Sequence, residues 1–212
     1  MNGQFISFEG PDGAGKTSVL KAIGEELRVK YGDNLMLTRE PGGNKISESI
    51  RNIILDPINT EMDVRTEALL YAAARRQHLM ETVIPALKAG KLVISDRYVD
   101  SSVAYQGGGR EIGEQAVWQM NQFAIDGLEP DLTVYLDIES EEGIRRIKTH
   151  RTDEINRLDV EALEFHQRVR KSYLNLLEQN PERIKLVDAS QPLDKVLQDV
   201  KETMLQKYPN LF

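Results

Sequence analysis

The 212-residue chain has no cysteine, which excludes disulfides and thiolate metal sites and suits a reducing compartment. It also has no apolar run near the roughly 20 residues that a membrane helix needs. The first ten residues, MNGQFISFEG, lack the basic region and the long apolar stretch of a signal peptide. We therefore expect a cytoplasmic protein with no membrane partner.

Basic residues are not in excess over acidic residues either. The chain carries 27 lysines and arginines against 34 aspartates and glutamates, a net charge of −7. Broad nucleic-acid binding requires a basic face, so we expect no nucleic-acid partner. A few arginines that converge in a cleft can still hold the phosphates of one nucleotide. The length suits one α/β domain, and no repeat or linker interrupts it, so residues 1–212 are expected to form a single domain.

Buried-strand patterns alternate with helical patterns along the chain. This alternation predicts a parallel β-sheet flanked by helices, which binds its ligands at the carboxyl ends of the strands. A long helix is expected from about Val64 to Ala89, bent at Pro85, and the glycines at 107–109 are expected to be flexible. The predicted strands cover residues 4–8, 35–37, 92–95, 132–138 and 184–189.

The segment that follows the first predicted strand fits the phosphate-loop pattern G-x-x-x-x-G-K-[ST]. Its glycines let backbone N–H groups converge on phosphate oxygens, and the next helix adds its positive end. Lys16 can reach the β- and γ-phosphates, and the Thr17 hydroxyl can ligate Mg²⁺. The sequence therefore predicts an ATP-binding loop made of Gly10, Pro11, Asp12, Gly13, Ala14, Gly15, Lys16 and Thr17.

The segment LVISDRY at 92–98 places an acid and a base directly after a buried strand. Phosphate-loop enzymes hold an Mg²⁺-orienting acid at this position, so Asp96 is the candidate. Arg97 offers a planar fork of donors that suits a phosphate. The alternative is a solvated ion pair at the end of a strand.

Other residues point to a second ligand. Tyr71 and Arg75 lie four residues apart and share a helix face, and Ser102 and Gln106 have the same spacing. With Tyr105 and Arg51, they would supply an aromatic plate for a base, donors for its edge and a cation for a phosphate. Taken singly, each is better explained as a core residue or a solvated charge, and that alternative stays open from these spacings.

Longer blocks of sequence narrow the choice. FEGPDGAGKT, TREPGG, RTEALLYAAARRQH, SDRYVDSSVAYQGGGR, GLEPDLTVYLD and NRLD occur in this order and spacing from Phe5 to about Asp188. In these blocks the chain resembles the thymidylate kinase family. The resemblance implies a phosphate-loop NTPase fold with five parallel strands, a homodimer, and transfer of the γ-phosphoryl group from ATP-Mg²⁺ to dTMP, giving dTDP for dTTP synthesis.

The resemblance also implies a role for each matching residue. Asp12 would accept a hydrogen bond from the sugar 3′-hydroxyl, and Tyr105 would crowd the 2′ position. Tyr71 would stack on thymine, where the family usually has Phe. Arg75 would donate to a thymine carbonyl, with Ser102 and Gln106 completing the edge. The acceptor phosphate would lie among Arg39, Arg51 and Arg97.

The phosphate loop departs from one branch of the family, which carries an arginine there. The resemblance implies that a lid at about 145–157, RRIKTHRTDEINR, supplies the cation instead. Arg151 is the first candidate, so the catalytic set becomes Lys16, Arg97 and Arg151. The other basic candidates in the lid are Arg146, Lys148 and Arg157.

Two rival functions remain at this point. A deoxynucleoside kinase would need a carboxylate base near a neutral hydroxyl, and Glu9 stands at a comparable place. A GTPase-type switch would carry an N-K-x-D motif, which this sequence lacks. A phosphate monoester is largely a dianion at neutral pH and needs no base. The three histidines, His78, His150 and His166, are therefore expected to have packing or surface roles.

Overall fold

The computed structural model describes residues 2–150, 158 and 161–212. Its centre is a five-stranded parallel sheet with the strand order β2-β3-β1-β4-β5, which confirms the predicted fold class. All the helices lie in the connections between these strands or after the last one. The strands are β1 (Gln4–Glu9), β2 (Leu35–Arg39), β3 (Leu92–Asp96), β4 (Leu132–Asp137) and β5 (Ile184–Asp188).

The three inner strands have apolar sequences because both of their faces are covered. Ile6 of β1 pairs with Ile94 of β3 on one side and with Leu132 of β4 on the other. All three side chains are buried in one core cluster. This register brings the carboxyl ends of β1 and β3 together, where the phosphate loop and the Asp96-Arg97 pair follow.

The helices begin and end close to the predicted positions. Two of them have side-chain caps: Asn44 Oδ1 accepts from the Ser47 N–H, and Asp63 Oδ1 accepts from the N–H groups of Arg65 and Thr66. None of the helices in the described part of the chain is long and apolar enough to cross a membrane. The helices are α1 (Lys16–Tyr31), α2 (Lys45–Leu55), α3 (Val64–His78), α4 (Ile84–Lys88), α5 (Val99–Ser102), α6 (Glu114–Ile125), α7 (Ser140–His150), α8 (Leu163–Gln179) and α9 (Leu193–Lys207).

Two π-helical segments change the predicted helices. Leu79–Val83 joins α3 to α4, so the helix predicted from Val64 to Ala89 is one helical stretch with a wider turn next to Pro85. A proline has no N–H for the carbonyl four residues earlier, which favours such an irregularity. The second segment, Val103–Gly109, continues directly from α5.

The glycines at 107–109 were expected to be flexible, but the structure places them in a packed helical segment. They belong to the second π-helical segment, which packs against α6 and α8. A Cβ added at Gly107, Gly108 or Gly109 would lie 2.7–2.9 Å from an atom of Glu114, Ser172 or Phe165 respectively. Glycine is needed here because neighbouring helices approach the backbone closely.

Candidate active site

A cavity of about 770 Å³ opens at the carboxyl ends of the strands. Nearly every predicted site residue lines this cavity. The fold therefore brings together segments that are spread from residue 12 to residue 106 of the chain. Gly10 and Pro11 do not line the cavity, and Arg151 lies outside the described residues. The predicted residues in its wall are Asp12, Gly13, Ala14, Gly15, Lys16, Thr17, Arg39, Arg51, Tyr71, Arg75, Asp96, Arg97, Ser102, Tyr105 and Gln106.

The phosphate loop joins β1 to the first turn of α1. A Cβ at Gly13 would lie 2.2 Å from the carbonyl oxygen of Gly143, so α7 packs directly on the loop backbone. Lys16 is buried, and its Nζ donates to the carbonyl oxygens of Gly10 (2.9 Å) and Pro11 (3.0 Å). Burial, together with the nearby Arg97 charge, lowers the pKa of Lys16 to about 8.

Arg97 follows β3 and has a left-handed backbone conformation, with φ of 70°. Its Nη2 donates to Asp12 Oδ1 (2.7 Å) and to the Tyr105 hydroxyl (3.1 Å), and Tyr105 in turn donates to Asp12 Oδ2 (2.8 Å). Its Nη1 donates to the Gly10 carbonyl oxygen and to Ser101 Oγ, both at 3.1 Å. These contacts hold one cation between the phosphate loop and α5.

Two residues fit a metal ion bound with nucleotide phosphates. Asp96 Oδ1 is buried and has no hydrogen-bond partner among the described residues, and Thr17 is exposed at the start of α1. Both line the cavity. No group of three or more metal-ligating side chains occurs in the described ranges. Mg²⁺ at phosphates uses one or two protein ligands and keeps the rest of its shell for phosphate and water, so the pair is sufficient.

A second cationic region lies in the turn after β2. Arg39 Nη1 and Arg51 Nη1 donate to the same carbonyl oxygen, that of Pro41, at 2.9 and 3.0 Å. Burial and the neighbouring Arg39 charge lower the pKa of Arg51, and Glu48 pairs with Arg39 at 2.9 Å. Two guanidinium groups that face one cavity suit an anionic ligand such as a phosphate.

Tyr71, Arg75, Ser102 and Gln106 lie together on α3, α5 and the segment after α5. Arg75 is almost wholly buried, and its Nη1 donates to Ser102 Oγ at 3.1 Å. Tyr71 is buried apart from the part that faces the cavity. The two spacings of four residues therefore produce one wall with an aromatic ring and polar groups.

The orientation of the Gln106 amide is fixed by a carboxylate. Its Nε2 donates to Glu67 Oε1 at 2.9 Å, and Arg110 pairs with Glu67 Oε2 at 3.2 Å. Glu67 is fully buried. Since a carboxylate only accepts hydrogen bonds, this contact fixes the side of the amide that carries Nε2.

Sequence reasoning missed the residues at the far end of the cavity. Arg146 of α7 was only a secondary lid candidate, and its Nη1 donates to the Ala189 carbonyl oxygen at 2.9 Å. The loop after β5 follows the same carboxyl-end rule that located the phosphate loop, so this signal was available. Lys148 is exposed and does not line the cavity, and Arg157 lies outside the described residues. The wall missed by sequence comprises Ser18, Val19, Glu40, Pro41, Leu55, Tyr98, Ser101, Ile147, Leu158, Ala189, Gln191, Leu193 and Val196.

Glu9 lies beneath this cavity and is not part of its wall. Its carboxylate is fully buried and accepts from the Tyr98 N–H (2.6 Å), the Ser101 hydroxyl (2.5 Å) and the Tyr173 hydroxyl (2.9 Å). Burial, with the nearby Asp100 charge, raises the pKa of Glu9 to about 7. Both oxygens are thus used inside the protein.

His78 and His166 are not in the wall of the cavity. His78 and His166 are buried, as packing roles require. The side chain of His150 lies outside the described part of the structure.

The fold and the cavity together define a phosphate-loop kinase. The sequence model of the family described as thymidylate kinase matches residues 8–200. The chain therefore belongs to the thymidylate kinase family.

Individual relatives agree over the whole length. The chain is 62% identical to a thymidylate kinase of Limosilactobacillus reuteri (strain DSM 20016) and 57% identical to one of Enterococcus faecalis, each alignment covering all of both chains. Among solved structures, it is similar to a thymidylate kinase from Ehrlichia chaffeensis, with a TM-score of 0.79 and 33% identity. That alignment covers 97% of this chain and 99% of the other.

Proposed function

We propose that the chain transfers the γ-phosphoryl group of ATP to dTMP, which yields ADP and dTDP for dTTP synthesis. One observation carries this proposal: a single cavity joins the phosphate loop to a second cationic region and a base-sized wall. A nucleoside triphosphate at one end and a nucleoside monophosphate at the other would meet through their phosphates. Membership in the family supports both substrates.

The donor lies along the phosphate loop. Its β- and γ-phosphates contact the backbone N–H groups and Lys16. Its adenine extends toward Arg146, Ala189 and Gln191. Together with Ile147, these residues are the part of the described cavity wall that comes from α7 and from the loop after β5. Arg146 is held there by its bonds to Ala189 and, through Nε, to Glu142 (2.9 Å).

The acceptor lies at the other end. Its phosphate is placed between Arg39, Arg51 and Arg97, and its thymine ring stacks on Tyr71 with Arg75, Ser102 and Gln106 at the edge. Asp12 accepts from the 3′-hydroxyl, beside the Tyr105 hydroxyl that already bonds to it. The Tyr105 ring leaves little room at the 2′ position, which favours deoxyribose.

The chemistry requires in-line placement and neutralisation of charge more than proton transfer. The acceptor phosphate is a dianion near neutral pH and attacks without a base. Lys16 and Arg97 share the developing charge on the transferred group. Arg151 of the lid stays a predicted third cation. A bound Mg²⁺, held by Thr17 and oriented by Asp96, supplies further neutralisation at the phosphates.

The alternative, a deoxynucleoside kinase, is not supported by the position of Glu9. A nucleoside hydroxyl needs a base within hydrogen-bond reach. Glu9 is outside the cavity wall, and three protein donors occupy its oxygens. Of the carboxylates that do line the cavity, Asp12 and Glu40 are each paired with an arginine.

An exposed apolar surface supports the proposed homodimer. Phe123 of α6 is 91% exposed and Leu69 of α3 is 58% exposed, with Met80 and Ile53 half exposed nearby. Helix α3 packs against α2, α6 and the segment Leu79–Val83, so these exposed side chains lie on neighbouring elements. Clustered exposed apolar side chains mark association surfaces. Light scattering of the wild type and of Phe123→Glu tests this: a dimer and a monomer are expected, and two equal masses would refute the assignment.

The remaining assignments are part of the same proposal. Residues 1–212 act as one domain with a lid at about 145–157, of which residues 151–157 lie outside the described residues. The enzyme works in the cytoplasm, which its cysteine-free composition suits.

The activity is tested by release of ADP with dTMP, thymidine or no acceptor. We expect rapid release with dTMP and little with thymidine or water. Release with thymidine but not dTMP would favour the nucleoside kinase. Slow release without any dependence on an acceptor would favour a nucleotide switch.

A further inference from the structure

A chain of hydrogen bonds runs into the base-binding wall, and two of its members, Glu40 and Arg75, line the cavity. It begins at Thr38, passes through His78 and Glu40, and ends at Arg75. None of the first three was singled out by sequence reasoning as a site residue. The side chains of His78, Glu40 and Arg75 are each at least 97% buried.

Glu40 is the centre of this chain. Its Oε2 accepts from Arg75 Nε at 2.7 Å, and its Oε1 is 3.0 Å from His78 Nδ1. The other ring nitrogen, Nε2, is 2.7 Å from Thr38 Oγ1. Both hydrogen bonds of the His78 ring form when Nδ1 carries the hydrogen and donates to Glu40, and Nε2 accepts from the Thr38 hydroxyl. Both carboxylate oxygens of Glu40 thus have fixed donors.

The contacts of Arg75 leave little freedom for its guanidinium. Nε donates to Glu40, Nη1 donates to Ser102 Oγ and to Asn121 Oδ1, and Nη2 donates to the Tyr98 carbonyl oxygen at 3.0 Å. These four bonds use four of the five N–H donors. Among the described residues nothing accepts from the remaining Nη2 hydrogen, and Arg75 lines the cavity.

Glu40 also belongs to the turn that carries the phosphate-binding arginines. It stands between Arg39 and Pro41, and the Pro41 carbonyl oxygen accepts from Arg39 and Arg51. The Glu40 N–H is itself anchored to the Asp96 carbonyl oxygen at 2.9 Å. Arg75 is therefore fixed relative to the same turn that would hold the acceptor phosphate.

We propose that Glu40, oriented by His78 and Thr38, is a positioning residue that aims Arg75 at the acceptor base. The carboxylate neutralises the buried guanidinium and selects the one orientation in which a single Nη2 donor faces the ligand. Glu40 acts on a pyrimidine carbonyl through Arg75, because both of its carboxylate oxygens are already paired with Arg75 and His78. This inference rests on the proposed function, since it assumes that a nucleotide base occupies this wall.

Glu40→Gln is the first test. We expect the KM for dTMP to rise about tenfold and the KM for ATP to stay within twofold. The inhibition constant of 2-deoxyribose 5-phosphate, which has the phosphate but no base, should also stay within twofold. A merely structural role would raise all three constants together, and that result would overturn the proposal.

Glu48→Gln is the matched control because it makes the same chemical change on the same turn. Glu48 contacts Arg39 and the Gly43 N–H, not Arg75. It should change the constants for dTMP and for the base-free sugar phosphate by the same factor. If Glu48→Gln selectively weakened dTMP, the selectivity of Glu40→Gln would not arise from Arg75.

The decisive comparison is the double variant Glu40→Gln/Arg75→Ala. It removes both buried charges, so it is expected to fold even if a single variant does not. If Glu40 acts through Arg75, the double variant and Arg75→Ala have the same KM for dTMP. A further rise in the double variant would refute the mechanism.

Thr38→Val keeps the size of the side chain. It tests the Thr38 end of the hydrogen-bond network if Arg75→Ala cannot be purified. It should raise the KM for dTMP about two- to threefold, with no change for the sugar phosphate, and an unchanged KM would contradict the role of Thr38 and His78. Failure of the wild type to phosphorylate dTMP would refute the proposed function instead. The two failures are thus distinguishable.

Discussion

The Nη2 atom of Arg97 lies 2.7 Å from Oδ1 of Asp12, so the arginine that follows β3 is paired with the phosphate loop that follows β1. The two residues are 85 positions apart, and the sheet register joins them because β1 and β3 are neighbours. The left-handed backbone of Arg97 turns the chain from β3 into α5 at this point. The contact with Asp12 therefore fixes the position of this cation relative to the phosphate loop.

Arg97→Ala is expected to lower kcat at least tenfold, because it removes a positioned cation from the transferred phosphate. Its side chain is partly exposed, so the variant should remain folded. Steady-state kinetics and a thermal melt check both points. A kcat within twofold of the wild type would contradict the role of Arg97.

Arg75→Ala is expected to lower the free energy of unfolding by about 3–5 kcal/mol, because it leaves the Glu40 carboxylate buried without its cation. Adding Glu40→Gln should recover part of this loss. Urea unfolding of the single and double variants measures the difference. Equal stabilities would show that the pair does not share a buried charge.

ATP binding should weaken as the pH rises above about 8. The buried Lys16 has a lowered pKa of about 8, so it loses its proton in the free enzyme, and a neutral amine does not attract phosphate. Calorimetry should show roughly tenfold weaker ATP binding at pH 9 than at pH 7.5. Binding of dTMP, which relies on arginines, should change little over this range. An ATP affinity that is constant to pH 9.5 would disagree with this account.

Glu9→Gln should alter the pH dependence of stability. The folded pKa of Glu9, about 7, lies above the ordinary value of 4.5, so the folded state binds this proton more tightly than the unfolded chain does. The stabilisation is complete below about pH 4.5 and is lost as the pH rises through 7. Relative to Glu9→Gln, the wild type should become less stable between pH 5 and 7.5 in urea unfolding. Parallel curves would contradict the raised pKa.

Glu67→Gln should weaken discrimination against dCMP. The carboxylate fixes the side of the Gln106 amide that carries Nε2, and the amide oxygen can accept from the N3–H of thymine but not from N3 of cytosine. The substitution allows the amide to turn, so the ratio of kcat/KM for dTMP over dCMP should fall severalfold. An unchanged ratio would show that the Gln106 amide does not read the base.

The sequence alone was sufficient to predict a structural feature where a local pattern has one physical meaning. The apolar runs of β1, β3 and β4 predicted buried strands, and the phosphate-loop spacing located Lys16 and Thr17. The network of Glu40, His78 and Thr38 was not predictable from sequence. The hydrogen-bond partners of Glu40 are distant along the chain: Arg75 is 35 positions away and His78 is 38 positions away. Such pairs depend on tertiary packing, which spacing along one helix does not report.

The glycines at 107–109 show the same limit. Their composition suggests flexibility, whereas the approach of Glu114, Ser172 and Phe165 gives the actual reason for glycine. Only the packing of α6 and α8 reveals it. The far end of the cavity, by contrast, could have been predicted, because ligands bind at the carboxyl ends of parallel strands. Ala189 and Gln191 follow β5 and line the cavity, but they were overlooked.

The most direct test is a crystal structure with dTMP and a non-hydrolysable ATP analogue bound together. The account predicts the thymine ring against Tyr71 with a carbonyl oxygen at Arg75 Nη2, and the two phosphate chains facing each other between Lys16 and Arg97. A thymine ring directed away from Tyr71 and Arg75, or phosphate groups bound outside the span from Lys16 to Arg97, would contradict it.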